Sequence, residues 1–394
     1  MSDNETELVS RIRQEISDSL GYDGEISVQR EKAIKYYYAL PFGNEVEGRS
    51  QYVDSTVQDT VEWIKPSLMR VFASGDEMVK FSPHGPEDVE SAKQATDYVN
   101  YVFTKDNPGW EILYSWFHDA LLQKNGIIKV WWDEYEDPQR EEYRNLGELE
   151  FEYLIADEDV EVIEHTEVAG NEVEGIETYH DVVIKRTSYN GKIKVENVPP
   201  DEFLISREAK GIQDARFVCH RVKKTVSQLR EMYPDDDFDV GELGAGYNEE
   251  VYNAERMARY EFDDSFSWGD GLNENGEEAL REYWLHESFI KTDYDDDGIA
   301  ELRKVCTVGD YIFSNEEIDK VPLISITPLK IPHKFFGMSV ADLVMDLQLI
   351  KSTLMRNLMD NAYNQNFGRY AVLEGQANLD DLLTQRPGGV VRVK

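Results

Sequence analysis

Asp293, Asp295 and Asp297 alternate inside Thr292–Glu301 (TDYDDDGIAE), with Gly298 directly after them and Glu301 closing the stretch. Alternate carboxylates on a tight loop converge on one point. Gly298 permits the sharp turn, the Ile299 carbonyl adds an oxygen, and Glu301 can close the shell. A hard cation such as Ca2+ takes about six to eight oxygens of this kind. An EF-hand needs Glu at its twelfth loop position; here that position is Lys304, and the flanks read as strands rather than helices. The expected feature is therefore a DxDxDG loop tipping a β-hairpin. It binds Ca2+ or another hard divalent cation, or it is a solvated acidic turn with no metal.

Other chemistry is hard to find. No GxxxxGK[ST] phosphate loop, GxSxG, HExxH or paired CxxC occurs, and the seven histidines fall in no metal-ligand spacing. No catalytic residue is assigned and the chain reads as a non-enzyme. An acidic metal-dependent hydrolase stays open as an alternative, because carboxylates are abundant. Cys219 and Cys306 are too few for a disulfide framework and read as free thiols.

The bulk properties narrow the partners. Over 394 residues, 79 acids face 41 bases, a net charge of −38. A surface that grips nucleic acid is basic, since phosphate neutralisation supplies most of the affinity. Tight wrapping of DNA is excluded on that ground. Hydrophobic residues make up 41% of the chain, so it can bury a core and is no disordered acidic tail. No run of about 18 apolar residues predicts a membrane span. The acidic, amphipathic start MSDNETELVSRIRQEISDSL is no signal peptide, which points to synthesis and assembly in the cytoplasm.

The elements that must position such residues read as α+β. The first 125 residues read as helices. Val57, Val61, Ile64, Leu68 and Phe72 mark one face over 54–73, capped by Asp54 or Ser55 and kinked or split at Pro66. Another helix fits 87–104, with Val89, Ala92, Tyr98 and Val102 inward, and a third 110–124, with Leu113, Trp116, Phe117, Ala120 and Leu121 inward. Strand signals begin at Ile127–Trp132. The acidic stretch 133–180 reads as an exposed insertion, and Asn190-Gly191 as the turn of a hairpin. Phe203–Ile205 reads as a strand, 223–234 as a helix with Val226, Leu229 and Met232 inward, and 235–280 as a long acidic loop. Strands follow at Tyr283–Ile290, Leu302–Val308, Tyr311–Ser314 and Leu323–Ile326. The clearest element is a helix over 340–366, with Ser339 and Asp342 forming a capping box. Its apolar face is Val340, Leu343, Val344, Leu347, Ile350, Leu354 and Leu358, and its other face carries Asp342, Asp346, Thr353, Arg356 and Asp360. A helix of this length, about 40 Å, needs a partner on its apolar side. Arg369–Glu374 and RPGGVVRVK read as strand.

Four stretches in order carry a resemblance: GRSQYVDSTVQDTVEWIKPSLMRVFASGDEMVKFSP (48–83), WFHDALLQKNGIIKVWWD (116–133), TDYDDDGIAELRKV (292–305), and FFGMSVADLVMDLQLIKSTLMRNLMDNAYNQN (335–366) with RPGGVVRVK after it. Together they resemble the portal proteins of short-tailed bacteriophages. That resemblance implies a ring, usually of twelve subunits, at one capsid vertex. Double-stranded DNA would pass through it without sequence preference during packaging and ejection. The implied partners are the terminase large subunit, a tail adaptor, and the major capsid or scaffolding protein. By analogy 1–205 is wing, 206–234 the first stem-helix region, 235–335 the clip, 336–368 the second stem helix, and 369–394 the start of a returning wing or tunnel region. Such portals continue further, so the resemblance implies a crown beyond Lys394. Lys351 and Arg356 are the bases expected near the DNA. Val340, Leu343, Leu347, Ile350, Leu354 and Leu358 are expected in subunit packing. A mainly acidic wall would let DNA slide by repulsion. An acidic calcium-binding structural or adhesion protein is the rival reading.

Overall fold

A computed structural model describes residues 3–73, 75, 78–155, 160–169, 178–234, 236, 238–243, 258, 278–295 and 297–366. Helices and two antiparallel sheets make up this α+β chain. In order they are α1 (Asp3–Tyr37), α2 (Thr56–Phe72), α3 (Val89–Tyr101, running on as a π-helical turn to Asp106) and α4 (Gly109–Gln123). Next come β1 (Gly126–Leu146), α5 (Glu148–Ile155), β2 (Val160–Ala169), β3 (Thr178–Val198), β4 (Phe203–Ile205), β5 (Phe217–Thr225) and α6 (Val226–Met232). The chain then forms β6 (Glu282–Thr292), β7 (Glu301–Val308), β8 (Tyr311–Glu317), β9 (Leu323–Ile326) and α7 (Val340–Asn366). One sheet has the order β2-β3-β1-β9, the other β4-β5-β6-β7-β8.

The long α1 is the spine. Its N-terminal apolar row, Leu8 and Ile12, packs on the second sheet against Leu204, Phe217, Ile290 and Val305. In its middle, Ile26 joins Ile127, Val198, Phe203, Phe289, Leu323 and Phe335, the core between the two sheets. Its C-terminal Ala33, Ile34, Tyr36 and Tyr37 meet Val57 and Val61 of α2, Leu121 and Leu122 of α4, and Ala341 and Met345 of α7. One helix thus fixes both sheets and the helical layer relative to α7.

Several elements depart from the reading of the sequence. The stretch 133–180 is built of strand and helix within its described part: β1 continues to Leu146 and pairs with β3 from Ile127↔Val198 to Leu146↔His180. Asn190-Gly191 is not a turn but the middle of β3, opposite Tyr135 and Glu134. Gly191 is needed there for another reason. A Cβ at that position would lie 2.2 Å from the Trp132 ring, which covers the strand. α2 runs unbroken through Pro66, with Val57, Val61, Lys65 and Met69 as its buried row. Phe72, expected inward, is exposed. In α3, Val89 and Tyr98 are exposed while Thr96, Asn100 and, in the turn beyond, Val102 are buried. Asn100 Oδ1 accepts from Met78 N (2.8 Å) and Val79 N (3.1 Å), and Thr96 Oγ1 from Phe81 N (3.0 Å), so polar side chains hold a neighbouring backbone there. α4 follows expectation, with Leu113, Phe117, Ala120 and Leu121 buried and Trp116 partly so. The helix at 223–234 has only seven residues, with Met232 exposed, so 206–234 holds no stem-length helix; Phe217–Thr225 is strand. Most of 235–280 and all of 369–394 lie outside the described residues. Among those described, no helix is long and apolar enough to cross a membrane.

Candidate subunit interface and acidic loop

α7 begins as read: Asp342 N donates to Ser339 Oγ (3.0 Å) and Ser339 N to Asp342 Oδ2 (2.8 Å). The Lys124 ammonium adds an ion pair to Asp342 at 2.5 Å. Beyond the first turn the helix is inverted. Its buried row is Ala341, Met345, Gln348, Ser352 and Arg356. The last three, at four-residue spacing, line one face and bond a strap made of residues 42–57. Gln348 Oε1 accepts from Val57 N (2.8 Å), and Gln348 Nε2 donates to Tyr36 O (2.9 Å). Ser352 Oγ accepts from Asp54 N at 3.0 Å. Arg356 donates to Tyr52 O (2.7 Å), Asn44 Oδ1 (2.8 Å) and Glu45 Oε1 (2.6 Å). Asp360 Oδ1 continues the ladder, accepting from Ser50 N at 2.9 Å. Gln348 also caps α2, the role expected of Asp54 or Ser55; the Ser55 side chain makes no cap bond.

The opposite row is apolar and faces outward. Leu343 is 58% exposed, Leu347 52%, Ile350 57%, Leu354 64% and Leu358 64%. Val340 is different: with Val344 it packs partly into the chain's own helical core. The five outward residues recur every three or four positions, forming one stripe about 20 Å long at about 1.5 Å per residue.

The expected DNA-facing pair separates. Arg356 is buried, and its charge is met by Glu45, so it holds the strap and is not the exposed base expected. Burial raises the Glu45 carboxyl, but backbone N–H donors and Arg356 hold it net below the usual range. Lys351 is half-exposed, 3.0 Å from Asp54 and bonded to Thr56 Oγ1 at 2.6 Å. The spacing of Gln348, Ser352, Arg356 and Asp360 was a readable signal for the ladder, but polar rows on helices ordinarily face water.

In the acidic loop, carboxylate oxygens of Asp293, Asp295 and Asp297 come within 4.8 Å of one another. Gly298 sits at φ +86°, as the turn requires. Backbone donors already point inward: Asp297 N to Asp293 Oδ1 (3.1 Å), Gly298 N to Asp293 Oδ2 (2.9 Å) and Ile299 N to Asp297 Oδ1 (2.7 Å). Glu301 is engaged at the loop's base instead of closing the cluster. It accepts from Tyr294 N (3.1 Å) and Arg303 Nη1 (2.9 Å). Ile299 is exposed.

A buried charge cluster joins the two sheets. Glu287 of β6 meets Lys129 of β1, His220 Nδ1 (3.6 Å) and Lys304 (3.6 Å), and His220 Nε2 lies 3.8 Å from Glu202. Burial raises the Glu287 carboxyl, but His220, Lys129 and Lys304 outweigh it and hold it at about 2. His286 next to it is held down to about 4 by burial and the charge of Arg221.

The family model described as phage SU10 portal protein matches residues 8–394. No curated protein matches the chain.

Proposed function

The chain belongs to the phage SU10 portal protein family, and from that membership we propose that it is one subunit of a ring through which double-stranded DNA enters and leaves a phage head. Membership supports a head-to-tail connector at the portal vertex, active in packaging. The finer reading is a closed ring, of twelve copies by family habit. It would receive the terminase motor during packaging and a tail adaptor afterwards, and it would contact capsid or scaffolding protein around its rim.

The observation that carries the ring is the inversion of α7. Its polar row is consumed by the strap of its own subunit, and its apolar row is left to something else. Fully burying a Leu or Ile side chain contributes about 1.5–3 kcal/mol, so the half still exposed on each of five residues is worth about 1 kcal/mol apiece. Ring closure is heterologous: the stripe of one copy meets a different patch on the next. The calcium-binding adhesion reading has no support in the family match. A channel wall of net negative charge favours sliding over adhesion, with Lys351 the remaining candidate for brief phosphate contact.

Light scattering after size exclusion tests this. The wild-type chain should run as a large assembly, and Leu347→Asp with Leu354→Asp as single, folded subunits. An assembly untouched by both charges would remove α7 from the interface. For the acidic loop, we propose that Asp293, Asp295 and Asp297 take a hard cation. Ca2+ should raise the melting temperature, and Asp297→Ala should abolish the rise. A wild type indifferent to Ca2+ would end that proposal.

A further inference from the structure

β9 pairs with β1 only over Gly126–Lys129. From Trp131 outward, β1 and β3 continue as a ribbon, joined by β2 from Arg186 onward. Trp131 to Leu146 spans about 50 Å at about 3.3 Å per residue, so this ribbon is an arm. α5 lies at its far end. One face of α5 is fixed: the Phe151 ring stacks on His165 and His180, each centroid 4.5 Å away and the planes within 12°. The two imidazoles are themselves joined, His165 Nε2 to His180 Nδ1, at 2.9 Å. With that face pinned, the outer face carries Leu149 at 82% exposure and Tyr153 at 85%, one turn apart. Glu150 flanks them on one side and Glu148 and Glu152 on the other, all exposed.

We propose that this outer face of α5 is a docking surface for a basic protein surface, with an apolar centre ringed by lysine and arginine. The charge around the pair selects the occupant. From Asp133 to Glu167 the sequence holds 15 Asp and Glu against only Arg140 and Arg144. A nucleic acid is repelled by these acids around α5, since the bases of β3, Lys185, Arg186, Lys192 and Lys194, lie on the strand beside them and not on α5. A second copy meeting this face with its own equally acidic arm is disfavoured in the same way. A cationic partner is steered in by the acids and held by Leu149 and Tyr153, the division of labour usual at interfaces. The inference stands on the arm alone and does not need the ring.

The test uses the full chain and fluorescent helical peptides of alternating Lys and Leu, with Lys/Ser and Glu/Leu controls, read by anisotropy. The Lys/Leu peptide should bind, more weakly at high salt, and Leu149→Ser with Tyr153→Ser should weaken it about tenfold at an unchanged melting temperature. Four results would overturn the proposal. They are equal binding by the double variant, preference for the Glu/Leu peptide or a DNA duplex, loss of self-association in the variant, and a melting temperature several degrees lower. The third would make the occupant a second copy, and the fourth would make the face part of the fold.

Discussion

Arg356 shows how a single residue changes meaning once its neighbours are known. On a helix read for amphipathicity it belongs to the wet face. In the fold it donates to Tyr52, Asn44 and Glu45 beneath the strap. Arg356→Leu should therefore cost about 2 kcal/mol, since it removes the bonds to Tyr52, Asn44 and Glu45 and leaves the Glu45 carboxylate only its backbone donors; a thermal midpoint unchanged from wild type would contradict this. The buried charges between the sheets give a pH dependence. His286, ordinarily titrating at 6.5, is held down to about 4, so the stability it contributes is present above 6.5 and lost as pH falls through 4. Glu287, ordinarily at 4.5 and here at about 2, contributes above 4.5 and loses it as pH falls toward 2. Denaturant midpoints should fall steadily from pH 6.5 to pH 2, and Glu287→Gln should flatten the lower half of that fall. The acidic loop was legible residue by residue, because alternating carboxylates around a glycine define a turn locally. The hold of Arg303 on Glu301 was not, because it depends on how β7 leaves the loop.

Element types were largely legible where the apolar period was strong. The limits of α7, its capping box, and the strands from β6 to β9 follow from periodicity and turn residues alone. Elements failed where a polar side chain does a backbone's work. Thr96 and Asn100 bind residues 78–81, Lys65 lies buried against Tyr114 Oη at 2.8 Å, and the ladder of α7 binds the strap. Hydrophobicity carries no trace of such faces. Asn190-Gly191 misled for a related reason: the glycine serves the Trp132 ring and not a turn. α1 offers a direct test of local reasoning. Gly21 and Gly24 lie inside this 35-residue helix, and a Cβ at either would meet nothing within 4 Å. Gly21→Ala and Gly24→Ala should each stabilise the protein by about 0.5–1 kcal/mol, read from denaturant midpoints. Destabilisation by either would mean that the helix uses the freedom of its glycines.

At the scale of the molecule, the spine of α1 binds two sheets and a helical layer into a frame that presents α7 with its apolar row outward. A chain that places polar ties inside and leucines outside has an apolar row to cover, and membership of a portal family over residues 8–394 implies an assembly in which, on the proposed reading, a neighbouring copy covers it. On the proposed reading, the excess of negative charge belongs to a passage that DNA crosses without being held. Electron micrographs of the purified chain test this most directly. Closed rings of side-by-side copies around an open hole are the expected result. Solitary particles at every concentration, or filaments bound along duplex DNA, would contradict it.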